Sequence, residues 1–149
     1  MKVLLVCSPG GHLQQMLALE PAWRGYERAW VTLPSADVEY LLREERVIYG
    51  KGPTNRSAKA LIVNLRLAWR TLRRERPDAI LSTGAALAVP FFLVGRMLGI
   101  RTVYVESVTR TEGLSLTGRM VYRLTGRFFV QWPEAATGRD RAEYAGGIL

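Results

Sequence analysis

Short, unbroken apolar runs alternate along this chain with segments of helical periodicity, and no other feature restricts the fold as much. The runs are Lys2–Cys7, Arg28–Leu33, Val47–Tyr49, Asp78–Leu81, Thr102–Val105 and Arg127–Gln131. Between them the spacing predicts helices over His12–Trp23, Ala36–Arg43, Ala58–Glu75, Leu87–Leu98 and Leu114–Leu124. Strands joined through helices imply right-handed crossovers and a parallel sheet, so the expected fold is α/β, Rossmann-like, with helices on both faces. Apolar runs that do not alternate suit strands buried on both sides. Residues 132–149 are poorly patterned, and the whole of 1–149 is expected to form one domain.

In such sheets ligands bind beyond the carboxyl ends of the strands, where the strand order reverses. With the order 3-2-1-4-5-6 that point falls between the first and fourth strands. Three polar stretches then face one crevice: Ser8–His12, Ser82–Ala86, and Glu106 at the end of the fifth strand. His12 is the only histidine of the chain, and it follows Gly10 and Gly11 at a strand-to-helix turn. A neutral imidazole there can accept a proton as a general base, or it can simply hydrogen-bond a neighbouring loop. The glycines let backbone amides approach an anion at the helix start. Thr83 and Gly84 either contact a ligand or permit tight packing. Glu106 either serves a site or pairs with an arginine. Arg56, in the loop Pro53–Arg56, either holds a phosphate or is solvated.

Composition removes several function classes. The single cysteine, Cys7, excludes an internal disulfide framework and fits a reducing compartment. No signal-peptide pattern opens the chain, and no run of roughly 18 apolar residues would span a bilayer. One histidine, one cysteine and unclustered carboxylates make a metal site unexpected. The glycine turn is neither GxxxxGK[ST] nor GxGxxG, and the G-x-S-x-G elbow of serine hydrolases is missing. A net charge of +8 asks for a negative partner or surface. A basic nucleic-acid-binding module is one answer, but the aromatic residues are not interleaved with the basic ones as stacking would need. A membrane surface is another. The helix holding Phe91, Phe92 and Val94, flanked by Arg96 and Arg101, is either core or an apolar patch rimmed by cations.

Taken in order, CSPGGHLQQM, GPTNR, PDAILSTGAALAVPFFLVGRMLGIRTVYVES, LTGRMVYRLTGRFFVQW and the terminal GGIL resemble one family across essentially the whole chain. It is the acceptor-side, Alg14-like subunit of two-component GT-B glycosyltransferases, including exopolysaccharide enzymes. The pattern is also similar to the amino-terminal half of the peptidoglycan-precursor N-acetylglucosaminyltransferase. The resemblance implies a single GT-B half-domain that binds a polyprenyl-diphosphate-linked sugar in polysaccharide biosynthesis. The UDP-sugar donor would sit on a partner subunit, with no metal or other cofactor. His12 falls at the position of the base, and Glu106 orients it or binds acceptor. Ser8, Gly10, Gly11, Thr83, Gly84, Asn55 and Arg56 fall on acceptor or diphosphate loops. Phe91, Phe92, Val94 and Arg96 fall on a membrane patch, and the tail 132–149 on the partner contact. The expected location is peripheral, on the cytoplasmic face of the membrane. A non-catalytic scaffold that activates a partner transferase shares the same surface features.

Overall fold

The computed structural model describes residues 1–54 and 57–148. Seven parallel strands form one sheet in the order β3-β2-β1-β4-β5-β6-β7. In chain order the elements are β1 (Lys2–Val6), α1 (Gly11–Ala18), α2 (Glu20–Trp23), β2 (Glu27–Thr32), α3 (Ala36–Leu41), β3 (Val47–Tyr49) and α4 (Ala58–Glu75). They continue with β4 (Ala79–Ser82), α5 (Ala88–Met97), β5 (Arg101–Val105), α6 (Leu116–Val121), β6 (Arg127–Val130), α7 (Pro133–Ala136) and β7 (Ala142–Tyr144). The reversal between β1 and β4 lies where the sequence puts it, with Val6 beside Ser82 at the carboxyl ends.

Successive residues of β1 serve opposite faces, as the pleat requires. Leu4 and Val6 join the larger core with Ala68 and Leu72 of α4, Phe91 and Phe92 of α5, Tyr104 and Phe128. Val3, Leu5 and Cys7 join the smaller one with Leu13, Met16, Trp23, Trp30 and Val38. Serines cap two of the helices: the hydroxyls of Ser35 and Ser57 accept from Val38 N–H and Ala60 N–H. Gly99, with φ 70°, closes α5.

Several expectations need correction. The helix predicted over His12–Trp23 breaks at Leu19, because Pro21 lacks an N–H and its ring crowds the preceding turn. The tail is not patternless: it folds into α7 and a seventh parallel strand paired to β6. Phe91, Phe92 and Val94 do not form a membrane patch. They are buried, because α5 lies over β4 and β5 between α4 and α6. Only Leu93, Arg96 and Met97 of that helix are exposed over its later turns. The apolar residues of α4 fall on two faces. Ala68 and Leu72 face the sheet, whereas Leu61, Ile62 and Trp69 face outward. The inward places are taken by Asn64, which bonds the backbone of Lys51, and by Glu75, which pairs with Lys2 and Arg46.

Candidate functional site

At the carboxyl ends of β1, β4 and β5 lies a cleft of about 890 Å³. Ser8 and His12 line it from the first loop, Ala85 and Ala86 from the second, and Ser107, Thr109, Arg110 and Ser115 from the loop after β5. Apolar side chains line it too: the buried Val89 and Pro90, and an exposed rim of Leu61, Leu116 and Met120.

The turn into α1 is fixed by its own residues. Gly10 has φ 77°, a left-handed conformation that side chains resist. Its N–H donates to Asp37 Oδ2 at 2.9 Å and its carbonyl accepts from Gln14 N–H at 3.0 Å. Asp37 also receives the Ser35 hydroxyl, and these bonds, Ser35 first and Gly10 second, hold its carboxyl below the usual range. The first-turn amides after Gly10 have no intrahelical partner and open toward the cleft end of the sheet.

His12 and Thr83 clasp each other. The Thr83 hydroxyl donates to the His12 carbonyl at 2.6 Å, and His12 Nδ1 lies 2.8 Å from the Thr83 carbonyl. A carbonyl only accepts, so Nδ1 carries the proton of the neutral ring. Nε2 is then the bare nitrogen. The bland and functional readings of His12 thus coexist: one nitrogen is bonded to a loop, and the other is available. Gly84 makes the clasp possible. It has φ 124°, and a Cβ there would lie 2.6 Å from His12 Cε1.

Glu106 is buried and does not reach His12. Its carboxylate accepts from Ser107 N–H at 2.9 Å, Ser115 N–H at 2.8 Å and the Ser115 hydroxyl at 2.9 Å. A Cβ on Gly118 would lie 2.1 Å from it, so the start of α6 sits directly on the carboxylate. The His12 ring is therefore oriented by the Thr83 carbonyl, and Glu106 holds the loop between Ser107 and Ser115. No arginine pairs with Glu106 among the described residues. Asn55 and Arg56 lie outside the described residues.

Some contributors escaped the sequence. The Tyr104 hydroxyl is buried against Glu106 and Ser115 without a hydrogen bond of ordinary geometry, and burial first, then the Glu106 charge, raise its pKa. Gln131 Nε2 donates to Gln15 Oε1 at 2.6 Å, and the same oxygen accepts from Val108 N–H at 3.0 Å. That buried amide pair ties α1, three residues beyond His12, to the end of β6. Nothing in the local pattern of a lone glutamine signals such a role. Cys7 is buried, which pushes its thiol up to about 12 and removes it as a nucleophile.

A family model described as "Oligosaccharide biosynthesis protein Alg14 like" matches residues 40–148. The UDP-N-acetylglucosamine transferase subunit ALG14 of Eremothecium gossypii is 35% identical over 123 residues, covering 75% of this chain and 55% of the relative. The chain spans between 36% and 55% of the length of the first relatives it matches. Among solved structures, MurG of Acinetobacter baumannii superimposes with a TM-score of 0.77 at 19% identity, over 99% of this chain and 46% of that one. The UDP-GlcNAc 2-epimerase of Methanocaldococcus jannaschii, in complex with UDP-GlcNAc and UDP, gives a TM-score of 0.75 at 13% identity, over 99% and 47%. At these identities the two structures share a fold with the chain, a Rossmann-like half-domain.

Proposed function

The chain belongs to the Alg14-like family of oligosaccharide biosynthesis proteins, and from that premise we propose that it is the acceptor-binding subunit of a heteromeric, inverting glycosyltransferase. One observation carries the reading. The lone imidazole has its Nδ1–H held by a carbonyl, which leaves Nε2 for a cleft lined by hydroxyl-bearing and apolar side chains. A sugar suits the hydroxyls, and the polyprenyl chain of a lipid-linked acceptor suits the exposed apolar rim.

In the step this supports, His12 Nε2 takes the proton of an acceptor hydroxyl. The freed oxygen bonds to the anomeric carbon of a UDP-sugar held by a partner subunit. The bond from that carbon to the diphosphate breaks, and UDP leaves with the electron pair. No metal or other cofactor enters the step. The partner supplies the second wall of the crevice, so the chain alone is expected to be inactive.

Attachment to the cytoplasmic face of a membrane is part of the proposal. Among the described residues no helix is long and apolar enough to cross a bilayer. The outward face of α4 instead mixes Leu61, Ile62 and Trp69 with Arg66, Arg70 and Arg73. Leu116 and Met120 of α6 continue the exposed apolar surface at the mouth of the cleft. Such a mixture suits anionic lipid.

The test is co-expression with a donor-binding glycosyltransferase subunit and an assay of transfer from UDP-N-acetylglucosamine to a polyprenyl-diphosphate-linked sugar. His12→Ala is expected to lower kcat by roughly 10²–10⁴-fold with the fold intact, the usual contribution of a general base. Undiminished turnover in that variant would leave the chain a scaffold. Turnover by the isolated chain would remove the divided crevice.

A further inference from the structure

The loop after β5 is closed on a single buried carboxylate. Glu106 receives Ser107 N–H at one end and Ser115 N–H with its hydroxyl at the other. Between them, Val108 N–H is tied to Gln15 and the Val108 carbonyl accepts from Trp132 Nε1 at 2.6 Å. Arg110 N–H returns to the Ser107 carbonyl at 3.0 Å. The position of Arg110 on the cleft wall is thus set by bonds on both sides of it.

Arg110 is the one charged side chain among the described residues that line the cleft. Arg28, Arg46 and Arg127 each pair with a glutamate. Arg110 makes no salt bridge and no side-chain hydrogen bond among the described residues, even with Glu112 two positions on. Around it on the wall stand the hydroxyls of Ser107, Thr109, Ser115 and Thr117. His12, in the first turn of α1, lines the same cleft, and the helix start there carries partial positive charge. With no carboxylate lining it, this wall is built for an oxyanion.

We propose that Arg110, on the loop clasped by Glu106, grips the diphosphate of the lipid-linked acceptor. A guanidinium fork matches two phosphate oxygens, and the Thr117 hydroxyl, with whichever of Ser107 and Thr109 does not donate to the other, can donate to the others. A nucleotide donor also carries a diphosphate. The acceptor is favoured because Leu116, where the apolar rim begins, lies between Ser115 and Thr117, and Met120 is one turn further along the same wall. An anion held at Arg110 can therefore extend its hydrocarbon chain along that rim. Glu106 is then a positioning residue, acting through Arg110. This assignment rests on the acceptor-subunit reading above.

The complex with the donor-binding partner is assayed with N-acetylglucosamine linked to a farnesyl chain through either a diphosphate or a monophosphate. Arg110→Ala is expected to raise the KM for the diphosphate acceptor on the order of tenfold, as loss of a charge-assisted contact does. The donor KM should stay where it is, the monophosphate acceptor should be affected less, and Arg110→Lys should recover part of the loss. An unchanged acceptor KM, or a rise confined to the donor, would overturn the assignment while leaving the acceptor-subunit reading intact. Failure of the wild-type complex to use either acceptor would overturn that reading, and the assignment with it.

Discussion

A single imidazole makes the residue scale unusually accessible, because every histidine signal in this protein reports the same ring. His12 is held by Thr83 and packed against Gly84, and Gly84 is the tightest constraint. A methyl group there would lie 2.6 Å from Cε1 and 2.7 Å from Nδ1, at a φ of 124° that resists any side chain. Gly84→Ala is therefore expected to push the ring off the Thr83 carbonyl and to lower turnover nearly as far as His12→Ala. Nitrogen-15 NMR of the imidazole checks this directly: the native ring should show Nδ1 protonated, and the variant should lose that preference. An unmoved spectrum would show that the turn accommodates the methyl group. The importance of this turn was legible in the sequence, where Ser82-Thr83-Gly84 stands opposite Gly10-Gly11-His12. The reciprocal bonds were not, since the two turns are 71 positions apart and meet only in the sheet.

At the scale of elements, α5 takes the core place, one of the two its sequence allows, and α4 takes the surface. The most apolar helix is core, because three neighbours cover it. The arginine-rich helix carries the exposed apolar residues, because only one of its faces meets the sheet. Trp69 also carries the Arg73 guanidinium 5.5 Å from its ring centre, a pairing suited to an interface. Replacing Ile62 and Trp69 together by serine is expected to weaken binding to anionic vesicles on the order of tenfold, the scale set by withdrawing part of two large apolar side chains from lipid. The folded state should survive, as both side chains face outward. Co-sedimentation with vesicles, compared at low and high salt, is the measurement. Binding that ignores both replacements would move the membrane surface elsewhere. Phe91→Ser, by contrast, should cost about 3–5 kcal/mol of stability, because its ring is fully buried.

For the whole molecule, the end of the sheet opposite the cleft carries an acid-sensitive ion cluster. Glu75, at the end of α4, joins Lys2 of β1 and Arg46 before β3. Arg46 first, with Lys2 adding and burial opposing, brings its carboxyl from the ordinary 4.5 down to about 2. A carboxyl whose pKa is depressed on folding stabilises fully above its unfolded value and loses that contribution as pH falls. Stability should accordingly decline between about pH 4.5 and about pH 2. Glu75→Gln should be less stable at neutral pH and show a shallower acid decline. Urea midpoints recorded across that range decide the point, and parallel curves would remove Glu75 from the account. The buried amide pair Gln15–Gln131 works at the same scale. It links the helix of His12 to β6, and Gln131 Oε1 accepts from Ile148 N–H in the terminal segment at 3.0 Å.

The layered α/β class and the glycine turns were legible in the sequence, and the strand order common to such sheets then brought those turns to one cleft. Those depend on local periodicity, on glycine and proline stereochemistry and on the fixed hand of crossovers, all of which are written along the chain. Packing between distant segments settled which face of each helix is covered, that Glu106 serves a loop instead of His12, and that residues near the carboxyl end add a seventh strand. Burial and hydrogen-bond partnership depend on groups brought together from distant positions. A residue's identity limits what it can bond, but only packing selects the partner.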